Sequence, residues 1–449
     1  MHSTPLIPLA DRERIERQYA AVLGRSFLQR FGLAIGLAAA TVYLALSFVF
    51  FNVGPTLMNG QWDRATAYLQ DWISWRAQPR LRFEDGKVTP KWTLRGQYPE
   101  GAKIDWLQPR TDGGYTVFYG NADNRLEVTT TAVDVIIDGV SYPVTITADA
   151  VRAPADRPSA IRQDETKVIV SYGFAGQAEI RGSQVYVQRR FLGWANFFFD
   201  TRSAFWGRSF TELAGLAISG ERLDPARSNI SAMADDFLEN HVWQHGDVFG
   251  QLAQTLVMAF VGTLFGTVLA FPLAFIAARN ITRNRVANWG MKRAFDFLRS
   301  VDMLIWALFF TRSFGPGPIP GIASIFFTDS GALGKVYAEA IENVDEKQRE
   351  GMKSLGASSA LINRFGVVPQ VLPVFVSQSL YFFESNIRSA TVIGAVGAGG
   401  IGLKLLEAMS TNADWDKVAY MVLLILGVVF LFDNISNTLR WKLIGKQGH

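Results

Sequence analysis

Apolar residues gather into runs longer than a soluble core needs. Residues 31–53, "FGLAIGLAAATVYLALSFVFFNV", hold 23 positions without a charge. A helix rising about 1.5 Å per residue carries such a run across a bilayer core of about 30 Å. The run starts too late, and is too long, for the apolar core of a cleaved signal peptide. Residues 252–278 predict a second span, and residues 418–432, extended by their flanks, a third. Three weaker segments lie between the last two. Residues 295–310 carry Arg299 and Asp302, residues 321–341 carry Asp329, Lys335 and Glu339, and residues 367–396 carry Glu384 and Arg388. Charge at membrane depth is costly, so these predict helices whose polar face meets protein or a water-filled path. Arg299 and Asp302, three apart, are expected to pair and fix packing. "GTLFG", Gly262 to Gly266, is a small-xxx-small face expected to pack helices.

Basic residues set the orientation. Arg279, Arg283, Arg285, Lys292 and Arg293 follow the second span with no acid among them, which places that segment in the cytoplasm. Counting outward gives six spans with both termini inside. Residues 1–30 then read as a cytoplasmic amphipathic segment or as a plain positive anchor for the first span, 31–53. Residues 54–190 lie outside the cytoplasm and predict a mainly-β domain, an antiparallel sheet or sandwich. "KVIVSY" and "QVYVQRRF" alternate, "GNADN" is a hairpin-like turn, and "VDVIIDGVSYPVTI" breaks at Asp138-Gly139. "RAPADRPSAIRQDE" reads as a polar loop. Residues 191–245 begin with the aromatic run "FLGWANFFFDTRSAFWG", which suits helices in the outer interface; residues 191–206 could also form a seventh span. Residues 246–449 hold the remaining helices.

Composition agrees with a membrane segment plus a soluble module: 449 residues, 49% apolar, 33 Phe and 12 Trp. The net charge of +4 falls in short clusters between apolar runs, which is membrane topology and not a nucleic-acid surface. Cysteine is absent, so disulfides and Cys-based metal sites are excluded. His241 and His245 are four apart, but "HVWQHGD" lacks the Glu of H-E-x-x-H, so an interfacial or capping role is expected and no metal site.

Two stretches point to function. "EGMKSLGASSALINRFGVVPQVLP" places Glu350, Gly356 and Pro369 at spacings of six and thirteen. It resembles the E-A-A-x-x-x-G-x9-I-x-L-P signature of bacterial ABC importer permeases. Gly351 and Met352 stand where that signature has Ala, and Gly366 where it has Ile. Glycine lets the backbone turn with positive φ, and Pro369 starts the next helix. "TDSGALGKVYAEAIENVDEKQREGMKSLGAS", "RFGVVPQVLPVFVSQSLYFFESNIRSATVIGAVGAGGIG" and "RSVDMLIWALFFTRSFGPGP" look like the phosphonate-type ABC permease family over about residues 230–445. The resemblance implies the type I importer permease fold, α-helical with about six transmembrane helices, here with an inserted extracytoplasmic β domain that typical members lack. It also implies partners: a dimer of ABC ATPase subunits docked on the 342–369 loop through Glu350, Gly351, Gly356 and Pro369, a periplasmic phosphonate-type binding protein, and a second copy or a related permease. The chain has no G-x-x-x-x-G-K-[ST] loop, so it is expected to carry no cofactor, with ATP and Mg held by the partner ATPase. The cargo would be phosphonate, phosphite or a phosphate ester.

Glu384 and Arg388, four apart, share one helix face. Ser385, Asn386, Ser389 and Thr391 surround them. One reading is a buried pair in which Glu384 neutralises Arg388 and fixes packing. The other is a substrate pathway in which Arg388 meets an anion, since its planar fork donates two parallel bonds to phosphoryl oxygens. "GAVGAGGIG" matches G-x-G-x-x-G, but "ESNIRSATVI" before it is no strand and no βαβ unit fits, which argues against a dinucleotide enzyme. Gly397, Gly399, Gly400 and Gly402 are expected to form a hinge or a close-packing break. A membrane-anchored adaptor or sensor, with the β domain as its working part, is the remaining alternative.

Overall fold

The computed structural model describes residues 27–444, apart from 61, 85, 93–97, 99–103, 148–149, 219 and 412–414. The cytoplasmic segment expected at 1–30 therefore lies outside the described residues up to 26. Two compact units divide at Ala67 and Tyr68. In the first unit, α1 (Phe27–Phe50) buries none of its described apolar side chains, from Phe31 to Phe50, within the chain, and α2 (Val53–Met58) follows after a two-residue turn. Helix α3 (Trp62–Trp72) runs through the division.

In the second unit, thirteen described strands fill residues 74–192. A meander of six, β4 (Leu107–Pro109), β5 (Tyr115–Phe118), β6 (Arg125–Val128), β7 (Ala132–Ile137), β8 (Val140–Ile146) and β9 (Val151–Arg152), makes one antiparallel sheet. The other sheet has the order β10 (Ile161–Gln163), β11 (Val168–Ser171), β12 (Gly176–Ile180), β13 (Gln184–Leu192), β2 (Arg80–Glu84), β3 (Lys87–Lys91), with β1 (Ser74–Ala77) also paired to β13. Alternation explains the packing. Val168 and Val170 of β11 point inward with Ala178 and Ile180 of β12, and meet Val117, Leu126, Val133 and Val135 of the other sheet in one core. Asp138 and Gly139 both have positive φ, the turn geometry that matches strand twist in a two-residue hairpin. The polar loop expected at 152–165 contains a strand, because Ile161 supplies one buried side chain to the core. Within the domain Glu127 sits below the usual carboxylate range: Arg125 donates to it at 2.8 Å, partial burial opposes, and Arg110 adds a second bond.

The domain is rooted by charge. Asp71 is buried between Arg190 (2.8 Å) and Arg76 (2.9 Å), and the Trp194 indole donates to the Trp72 carbonyl. Beyond β13 the aromatic run at 191–206 is a series of turns, which corrects the expectation of a helix there and excludes a seventh helical span. Trp194 and Phe197 instead pack on Trp243, His245 and Tyr420. His245 is fully buried, with Nδ1 at 2.8 Å from the Tyr420 hydroxyl and Nε2 at 2.7 Å from the Phe197 carbonyl. Among the described residues between 193 and 244, only α4 (Phe210–Ile218) and α5 (Asn229–Leu238) are helical.

The remaining helices are α6 (His245–Ala277), α7 (Arg285–Ser300), α8 (Met303–Phe314), α9 (Pro318–Glu342), α10 (Glu346–Ser354), α11 (Ser359–Ile362), α12 (Val368–Ile393), α13 (Gly400–Ser410) and α14 (Trp415–Ile444). Among the described residues, four helical stretches, within α1, α6, α11–α12 with its flanking turns, and α14, are long and apolar enough to cross a membrane. Helices α6 and α9 cross tightly. A Cβ on Gly262 would lie 2.7 Å from Ile325, and one on Gly266 2.9 Å from the Asp329 Cβ, so "GTLFG" is a packing face. The span expected at 295–310 breaks at Val301. Asp302 caps α8 by accepting from the Leu304 amide at 2.8 Å, so it is not the partner of Arg299. Arg299 pairs with Asp296 at 3.2 Å, which also takes Lys335 of α9 at 2.9 Å. A carboxylate that accepts an otherwise unpaired amide at a helix start is better placed as a cap than as a mid-helix ion partner.

Candidate functional site

The 342–369 loop folds as a knob. Asp345 caps α10 by accepting from the Lys347 amide. At the other end Gly356 has φ +73, its amide donates to the Lys353 carbonyl, and the Ala357 amide reaches back to Met352. That double bond pattern closes a helix with the residue past its cap in the left-handed region, where glycine alone sits without strain. Helix α11 and one wide turn at 363–367 then lead into α12, with Pro369 in its first turn. Glu350 and Gly351 are exposed on α10. Leu355, Leu361 and Phe365 are exposed as well, Leu355 by 82%.

The knob is clamped to the bundle. Arg349 donates to the Asn280 carbonyl (2.9 Å), and Asn280 to that of Ile341 (2.7 Å). Glu342 joins the Arg279 amide (2.8 Å) to Lys292 (2.7 Å). Gln370 accepts from the Asp345 amide. These bonds join the start of the knob and α10 to the chain just past α6, to α7 and to the end of α9.

The polar patch on α12 divides between two faces. Glu384 faces α14, where Arg440 donates to it at 2.8 Å. Arg388 reaches Glu384 at 3.8 Å and Asp433 of α14 at 3.5 Å, with its side chain 48% exposed. Glu384 and Arg388 do form an ion pair, but the pair is not buried on the Arg388 side, and the shorter bond to Glu384 comes from Arg440. Asn386 points the other way. Its amide donates to Asp329 of α9 (2.6 Å) and Thr263 of α6 (2.7 Å), both buried. Asn386 therefore belongs to the helix core and is not brought together with Arg388. Ser389 and Thr391 bond the carbonyls of Ser385 and Ile387 one turn back on their own helix. Tyr381, Arg388 and Val392 make the exposed stripe of α12, with Ser385 half-buried among them. Asp433 and Arg440 were missed in the sequence. Their signal was a spacing of seven in "FDNISNTLR", which puts both on one face of the last span.

The glycine run is a knot between helices. Gly397, Gly399 and Gly400 all have positive φ. Gly317 donates its amide to the Gly397 carbonyl. The Gly400 amide donates to Gln254 (2.8 Å) and the Ile401 amide to Thr255 (2.9 Å), both side chains of α6. A Cβ on Gly402 would collide with the Thr391 carbonyl, and one on Gly400 with Thr255. Amides at the start of α13 that α6 already fills offer no cradle for a phosphate, and the preceding element is a helix, so no dinucleotide site exists here.

Residues 270–439 match the family described as binding-protein-dependent transport system inner membrane component. The phosphite transport system permease protein PtxC of Stutzerimonas stutzeri is 36% identical over 209 residues, covering 46% of this chain and 74% of that one. The chain belongs to this permease family. The phosphate-import permease protein PhnE of Mycolicibacterium smegmatis is 33% identical over 198 residues, 44% of this chain and 37% of the relative. A provisionally named cryptic phosphonate transport system permease, PhnE2 of Escherichia coli K12, is 44% identical over 117 residues, 26% of this chain and 95% of the relative.

The permease has the type I ABC importer fold and is a multi-pass inner-membrane transport subunit, serving with an ATPase and a substrate-binding protein. The β domain at 74–192 lies outside the matched residues. These matches give the adaptor alternative no support.

Proposed function

We propose that the permease imports a small phosphorus oxyanion, with phosphonate, phosphite and phosphate esters as the cargo class. The names of the relatives support that class, and Arg388 carries the reading. A half-exposed guanidinium at membrane depth is too costly against lipid, so its stripe of α12 faces water or another protein. The translocation path lies along that stripe, between this permease and a second copy or a related permease. Arg388 donates two parallel bonds to phosphoryl oxygens, and its neighbouring carboxylates keep the hold weak enough for release.

The knob of Glu350, Gly351, Gly356 and Pro369 docks the ATPase dimer, which binds ATP and Mg. Leu355, Leu361 and Phe365 become buried there. A periplasmic binding protein of the phosphonate type delivers the anion, and both termini lie in the cytoplasm. The glycine knot at 397–402 is the close-packed end of α12, and it serves as the hinge if α12 and α13 change their angle.

The test is reconstitution in liposomes with the cognate ATPase and binding protein. Uptake of phosphonate, phosphite and phosphate esters is followed with ATP inside. Arg388→Ala should abolish uptake while the complex still assembles. Normal uptake by that variant would overturn the assignment of the path.

A further inference from the structure

We infer that Asp433 is the counter-ion that limits how tightly Arg388 holds the transported anion, and that Arg440 keeps Glu384 out of that role. This rests on the path assignment above. A charge-assisted hydrogen bond spans about 2.7–2.9 Å. Arg440 meets that distance on Glu384, at 2.8 Å, and is itself anchored by Asn437 (3.0 Å) and the Ser436 carbonyl (3.4 Å) of its own helix. Glu384 is 11% exposed and so tied into the bundle. Arg388 sits at 3.8 Å from Glu384 and 3.5 Å from Asp433, inside ion-pair range and beyond hydrogen-bond range for both. The Asp433 Oδ1 that faces it accepts no hydrogen bond from the described residues.

Two bonds are therefore left unmade, one on each side of the Arg388–Asp433 contact. An arriving oxyanion takes the free fork of Arg388 and finds Asp433 beside it with like charge. Repulsion shortens the stay, and Asp433 recovers the guanidinium when the anion leaves. Asp433 is a positioning residue in this scheme: it touches Arg388, not the cargo. Arg440 matters because without it Glu384 would be a second competitor for Arg388, on the same helix.

Transport kinetics in the reconstituted complex separate this from a packing role. Asp433→Asn should lower KM and maximal rate together, each by about two- to fivefold, as expected when a half-exposed ion pair is removed. Asp433→Glu should restore both. Arg440→Gln should raise KM by freeing Glu384, and Glu384→Gln added to Arg440→Gln should bring it back. Copurification of the ATPase confirms that each variant is assembled. Unchanged KM in Asp433→Asn, or a loss of rate at constant KM, overturns the inference while leaving Arg388 as the anion contact. Full uptake by Arg388→Ala removes both.

Discussion

Arg440 reaches back 56 residues to Glu384 and donates to it at 2.8 Å, closer than Arg388 one turn away on the same helix. The i,i+4 pair on α12 is thus a contact within a larger set that joins α12 to α14. Removing one partner of a fully buried hydrogen-bonded ion pair costs about 3–5 kcal/mol, and this part-buried pair, with Arg440 22% exposed, falls below that range. Arg440→Ala should therefore lower the thermal midpoint of the purified permease much more than Arg388→Ala, whose pairs are longer and half-exposed. Equal shifts in a melting curve would contradict this ranking.

The knob depends on one backbone conformation. Gly356→Val places a β-branched side chain at φ +73, where the left-handed region costs about 1–2 kcal/mol. Nothing lies near its Cβ position, so the effect is conformational and not a clash. The variant should insert normally and lose ATP-driven uptake, with ATPase copurification reduced. Undiminished transport would count against this docking surface.

Gly402 is held by space. A methyl group there meets the Thr391 carbonyl, and forced overpacking costs about 1–3 kcal/mol. Gly402→Ala should lower the melting midpoint of the permease, whereas Gly351→Ala, with open space around it, should not.

The β domain should be acid-labile. Glu127 has a folded pKa depressed below its unfolded value of about 4.3, first by the bond from Arg125. Its contribution is present above the unfolded value and is lost as pH falls through the folded one. Tryptophan fluorescence of the full chain should report loosening below about pH 4, and Glu127→Gln should flatten that dependence. A signal in Glu127→Gln with the same acid dependence as in the parent chain would contradict it.

How much was legible varied with the range of the interaction. The hairpin at Asp138-Gly139, the packing face Gly262–Gly266, and the turn at Gly356 were all readable, because each is dictated by residues a few positions apart. The third span was misread: Arg299 and Asp302 match an ion pair by spacing, yet Asp302 starts a helix and Asp296 takes the cations. The run at 191–206 looked helical by composition, but its aromatic rings are spent on Trp243, His245 and Tyr420, which lie far along the chain.

Hydropathy and local spacing alone determined that this chain is a membrane protein with a β domain, since bilayer thickness and backbone geometry act on short stretches; that it is a permease came from its resemblance to a known family. Which polar groups share a face was decided only by tertiary structure. Asn386 turned to Asp329 and Thr263, while Glu384 turned to Arg440, because the direction of a side chain on a helix has no meaning until another helix is placed beside it.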